Sequence, residues 1–146
     1  MPQTVIPLGY LQDDRLLAAA NAAADLVVVP SAVENLPNSL IEAFACGRPA
    51  VGFDAGGIRD AVRAGETGIL VPAGDTAALA AGLVRLLDDR DLRVAMGARA
   101  LDLARREFSS EVQAARFEDL YRSLIAEQAR RSGTFPAESG SLWPTP

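Results

Sequence analysis

The chain has 146 residues, enough for one domain and too few for two complete α/β halves. All 14 basic residues are arginine; without lysine or histidine there is no Schiff-base or P-loop lysine, no histidine general base and no histidine-containing metal site. Residues 1–84 carry 4 arginines against 9 carboxylates, a net charge of −5 that argues against nucleic acid as a partner.

Apolar residues make up 49% of the chain, ample for a core, although alanine supplies much of that share and buries little area per residue. Asn21 and Asp25 interrupt the most hydrophobic stretch, so no run reaches the length of a membrane span. Met1-Pro2-Gln3-Thr4 has neither the charged nor the apolar region of a signal peptide, and a cytoplasmic location is expected.

In chain order, residues 4–8 read as a strand, followed by a helix over 13–23 with Asp13 as its cap. Residues 26–29, Leu-Val-Val-Val, read as a second strand. A helix over 37–46 follows, with Pro37 at its first position, where a missing N–H costs nothing. Cys46, the single cysteine, reads as a small core residue of that helix. Strands at 50–53 and 68–71 are separated by the turn signal Asp54-Ala55-Gly56-Gly57, a short helical segment over 58–63 and a second turn at 65–68. Strand–helix alternation of this kind predicts an α/β fold with a largely parallel sheet of about four strands. Beyond residue 71 come three helical stripes. The first is capped by Asp75 or Thr76, the second starts at Asp91, and the third starts at Ser109 or Ser110 and carries Val112, Ala115, Phe117, Leu120, Tyr121 and Leu124. Residues 132–146, rich in glycine and proline and holding the single tryptophan, Trp143, read as a disordered tail.

One stretch stands out chemically. Glu34-Asn35-Leu36-Pro37-Asn38-Ser39-Leu40-Ile41-Glu42 places two carboxylates, seven residues apart, across a loop-to-helix junction. Free backbone N–H groups at a helix start can hold phosphate, whereas ionised carboxylates only accept hydrogen bonds and so suit hydroxyls. A nucleotide-sugar has that layout. Taken alone the pair reads first as ordinary surface charge, because two glutamates at a fixed spacing are common.

Several further blocks stand in order around this stretch: Val5-Ile6-Pro7-Leu8-Gly9-Tyr10, Ala24-Asp25-Leu26-Val27-Val28-Val29-Pro30-Ser31, Ala43-Phe44-Ala45-Cys46-Gly47-Arg48-Pro49, Gly56-Gly57 and Thr67-Gly68-Ile69-Leu70-Val71. With them the chain resembles the C-terminal, donor-binding domain of glycosyltransferase family 4, enzymes of the GT-B fold. The resemblance covers most of the chain to about Leu124. It implies a partial Rossmann-like, nucleotide-sugar-binding domain over 1–131. It further implies transfer of a sugar from a nucleoside-diphosphate-sugar to an acceptor hydroxyl, with retention at the anomeric carbon and no obligatory metal or other cofactor.

Carried over residue by residue, the resemblance makes Glu34 the catalytic candidate, beside the donor sugar and accepting from its hydroxyls. Glu42 would accept from the ribose hydroxyls. Asn35, Leu36, Asn38, Ser39 and Leu40 would surround sugar and phosphate. Because Pro37 has no N–H, either one such donor is lost or phosphate would be held from Asn38, Ser39 and Leu40. Gly9 and Tyr10 match the loop that borders the base, and Gly56 and Gly57 a glycine pair along the donor cleft; that pair could equally be a plain tight turn. Two strand–helix units with a glycine-rich loop and a basic pair precede these blocks in the family. In the family strand order 3-2-1-4-5-6 their removal leaves a gap of about 14 Å beside the strand at 26–29, from a strand spacing of roughly 4.8 Å. The strand at 4–8 must then pair elsewhere, stay loose or meet a separate chain supplying the missing half. The alternatives to an enzyme are a non-catalytic nucleotide-sugar-binding or assembly module and an inactive gene remnant.

Overall fold

A computed structural model describes residues 4–132. Its contacts divide the chain into two units, residues 1–108 and 109–146. The first unit carries α1 (Asp14–Ala23), β1 (Val27–Val29), α2 (Asn38–Ala45), β2 (Ala50–Phe53), α3 (Ile58–Ala61), β3 (Gly68–Val71), α4 (Thr76–Asp88) and α5 (Arg90–Glu107). The second unit carries α6 (Ser110–Ser132). The tail expected over 132–146 lies outside the described residues, apart from Ser132 at the end of α6.

Among the described residues the sheet has three parallel strands in the order β1-β2-β3, not about four. Residues 4–8 form no strand, and Val5, Ile6 and Leu8 are exposed. Their β-branched and apolar composition favours extended backbone, but a strand needs a neighbour to satisfy its N–H and C=O groups, and none of the three strands pairs with them. β1 is consequently an edge strand, with Val28 39% exposed on it.

β2 lies in the middle and is buried along its whole length. Its alternating side chains feed two cores, as a strand covered on both faces requires. Ala50 joins Leu40 and Phe44 of α2, Ile58 and Ala61 of α3, and Ala100, Leu103 and Ala104 of α5. Val51 and Phe53 join Val71, Leu79 and Leu86 of α4, and Met96 of α5. Gly97 allows α5 to touch the turn after α2 closely, since a methyl built there would collide with the Gly47 carbonyl.

The helices begin where short polar side chains can take up free N–H groups. Asp13 accepts from Arg15 N–H at 2.7 Å, Asp75 from Ala78 N–H at 2.9 Å and Asp89 from Leu92 N–H at 2.9 Å. α5 thus starts at Arg90 under an Asp89 cap, rather than at Asp91. α6, described by itself, starts behind Ser109, whose Oγ accepts from Val112 N–H at 3.3 Å. Phe117, Leu120, Tyr121 and Leu124 stand exposed along it, with the Phe117 and Tyr121 rings stacked at 6.3 Å.

Candidate functional site

Because the strands are parallel, the segments leaving β1, β2 and β3 all emerge at one edge of the sheet. The loop 30–37 leaves β1 there and runs into α2. Pro37 is the cap of α2 and not its first residue; it has extended backbone and no side-chain cap bond. Leu40 N–H donates to the Pro37 carbonyl at 3.1 Å, closing the first turn. Leu40 itself is fully buried. It is an anchor of α2 in the core, and its N–H is not free for phosphate. Among the described residues the N–H groups of Asn38 and Ser39 have no acceptor, and both residues are exposed. The start of α2 therefore presents two N–H groups without an acceptor rather than three.

Glu42 lies one turn further along α2, about 6 Å along the axis from Asn38. Asn38 and Glu42 share the lining of a cavity of about 1040 Å³ with Gly9, Tyr10 and the outer side of β1 at Val27 and Val28. Glu42, Asn38, Gly9 and Tyr10 are thus brought together. Glu34, Asn35, Gly56 and Gly57 do not line that cavity. They form a neighbouring cluster in which Gly57 N–H donates to the Glu34 carbonyl at 3.1 Å. Leu36 is partly buried and packs against the core cluster of Leu40 and Phe44. Both glutamates are half-buried, and among the described residues neither carboxylate has a hydrogen-bond or ion-pair partner.

One cation on the carboxyl edge, Arg59 of α3, is engaged: its Nε pairs with the Asp54 carboxylate at 2.9 Å, and its Nη2 donates to the Asp54 carbonyl at 3.2 Å. Sequence reasoning missed that pairing, though an acidic residue five positions before Arg59 was its signal. Chemically the edge offers hydroxyl acceptors at Glu34 and Glu42 and N–H donors at Asn38 and Ser39.

Residues 1–89 match the family described as glycosyl transferases group 1. The chain is 41% identical over 112 residues to a D-inositol 3-phosphate glycosyltransferase of Corynebacterium glutamicum, covering 77% of this chain and 27% of that protein. Sucrose-phosphate synthase from Thermosynechococcus elongatus superimposes with a TM-score of 0.72 at 37% identity, over 77% of this chain and 28% of that one. Anabaena HepE, solved in complex with UDP-glucose, superimposes with a TM-score of 0.69 at 26% identity, over 73% of this chain and 30% of that one. The chain therefore spans between a quarter and a third of these proteins' lengths. Its three-stranded parallel sheet with flanking helices is similar to the C-terminal domains of GT-B glycosyltransferases.

Proposed function

Because the chain belongs to the group 1 glycosyltransferases, we propose that it is the donor-binding part of an enzyme moving a sugar from a nucleoside-diphosphate-sugar to an acceptor hydroxyl. The observation that carries this reading is the pair of half-buried carboxylates on either side of a helix start, with no cationic partner and two N–H groups without an acceptor among the described residues. Glu42 accepts from the ribose hydroxyls, and the N–H groups of Asn38 and Ser39 hold a phosphate oxygen at the positive end of α2. Glu34 accepts from the sugar hydroxyls. Gly9 and Tyr10 border the base from the far wall of the cavity.

Transfer in this reading proceeds with retention and without an obligatory metal, in the cytoplasm. The leaving diphosphate gathers negative charge as the glycosidic bond breaks, and fixed dipoles lower the barrier by stabilising it. Two backbone donors supply only part of that stabilisation. The remainder, together with the acceptor site, comes from protein outside this chain. A separate chain bearing the other half is one source. A binding or assembly module that never turns over is the second reading, favoured by the ion pair that occupies Arg59 on the carboxyl edge. Titration calorimetry with UDP, GDP and UDP-glucose, run beside an assay for released nucleotide, tests both. Binding without release fits a donor-binding part, and turnover by the 146 residues alone contradicts this account.

A further inference from the structure

We propose that Gly56 and Gly57 are positioning residues that hold Glu34 in place by direct contact with the backbone of its loop, and are not themselves ligand contacts. Glu42 is held firmly, because Leu40, Ala43 and Phe44 of the same helix are buried. Glu34 has no such anchor. Its loop exposes Pro30, Ala32, Val33 and Asn35, with Val33 at 92%. Among the described residues one hydrogen bond, Gly57 N–H to the Glu34 carbonyl, ties the middle of this loop to another element.

The glycine turn is itself fixed. Asp54 N–H donates to the Val71 carbonyl at 2.7 Å, Ile58 N–H to the Ala55 carbonyl at 3.1 Å, and Ile58 and Ala61 are fully buried. A methyl on Gly56 would strike the Glu34 carbonyl oxygen and lie 3.0 Å from its carbon. A methyl on Gly57 would lie 2.6 Å from the Asn35 carbonyl carbon and 2.9 Å from the Leu36 nitrogen. These are backbone atoms, so the loop must move bodily if either glycine gains a side chain. Gly56 also has φ 48°, a conformation that disfavours any larger residue. The two glycines thus set the distance between a rigid turn and a loop whose other hold on the core is Leu36.

The ligand-binding half of this inference rests on the nucleotide-sugar reading; the positional half does not. The test uses the full chain as wild type, Gly57→Ala and Gly65→Ala. Gly65 has φ 80° and nothing near its missing side chain, so its replacement strains a turn without touching the loop. Amide NMR of Gly57→Ala should shift the signals of residues 33–38 and leave those of α4 and α5 in place, while Gly65→Ala should leave 33–38 unmoved. UDP-glucose affinity should fall about tenfold in Gly57→Ala, the equivalent of one hydrogen bond to a charged group, with UDP affinity changing by less than about threefold. Hydrogen exchange of wild type should show the Gly57 amide protected and the Gly56 amide open, a measurement that no folding defect can spoil. Unmoved loop signals, an unprotected Gly57 amide, or equal loss of UDP and UDP-glucose would each overturn the proposal. Failure of wild type to bind either ligand would instead overturn the donor reading, with the NMR and exchange results still deciding the position of the loop.

Discussion

The two glutamates are separable by ligand. If Glu42 accepts from ribose hydroxyls, Glu42→Gln should weaken UDP and UDP-glucose alike, by about 1–3 kcal/mol for a charge-assisted hydrogen bond. Glu34→Gln should weaken UDP-glucose and leave UDP unchanged or slightly tighter, because a negative charge leaves the neighbourhood of the phosphates. Calorimetry with both ligands reads the difference, and equal small effects would mean that the pair is surface charge. Leu40, between them, behaves differently. The motif made it a ligand-site residue, yet it is fully buried with Phe44 and Ile58, so Leu40→Ala should cost about 2–5 kcal/mol in urea unfolding. A motif read one residue at a time does not separate positions that face a ligand from those that anchor the helix carrying it. Helical spacing does: Leu40 and Phe44 are four apart on one face, and Asn38 and Glu42 four apart on another.

At the scale of elements, strands β2 and β3 were legible to the residue, because turn signals bracket short runs that both faces bury. Residues 4–8 had the same local character and no partner strand, which no local pattern can reveal. The role of the glycine pair was equally out of reach: Gly56-Gly57 announces a turn, but the backbone pressed against it belongs to Glu34, Asn35 and Leu36, far upstream in the sequence. Gly97 makes the same point with a sign that can be measured. In an exposed helix Gly→Ala stabilises by about 1 kcal/mol. Here the methyl would meet the Gly47 carbonyl, with Pro49 Cδ 3.5 Å away. Gly97→Ala should therefore destabilise by about 1–3 kcal/mol as overpacking outweighs propensity, and a rise in urea midpoint would contradict the tight α5–turn contact.

α6 offers a pH test of its own. Its own backbone N–H and then the Ser109 hydroxyl hold the Glu111 carboxyl below the usual carboxylate range, against an opposing effect of desolvation and with a lesser contribution from the Ser110 hydroxyl. A depressed folded-state pKa means that the contribution is fully present above the unfolded value and is lost as pH falls through the folded one. Acidification through and below the ordinary carboxylate range should loosen the first turn of α6, seen as faster amide exchange at residues 111–113. Glu111→Gln should remove that pH dependence. The helical stripe on α6 was readable from its spacing, whereas the exposure of Phe117, Leu120, Tyr121 and Leu124 depends on what packs against it, which spacing does not encode.

For the molecule as a whole, the balance of groups on the carboxyl edge decides what the chain can do alone. A donor must be held at its ribose, at its phosphates and at its sugar, the three tasks that the proposed function assigns to Glu42, two N–H groups and Glu34. Catalysis asks for more: an acceptor hydroxyl aligned with the anomeric carbon, water excluded, and the developing diphosphate charge met by fixed positive groups. The cavity beside β1 is open, with Val28 exposed along it, and Arg59 is held by Asp54. Asp54→Asn would remove the ion pair of Arg59, though not its bond to the backbone carbonyl, and reduce the negative charge of the edge, so UDP affinity should rise by a few-fold, about the 0.2–1 kcal/mol typical of an exposed ion pair, and the gain should shrink at high salt. Turnover should not appear with it, because an added cation addresses the leaving group and not the acceptor. Nucleotide release from UDP-glucose by Asp54→Asn would show that phosphate charge was the missing element, whereas unchanged UDP affinity would show that Arg59 lies out of reach of the phosphates and that the positive end of α2 holds them unaided.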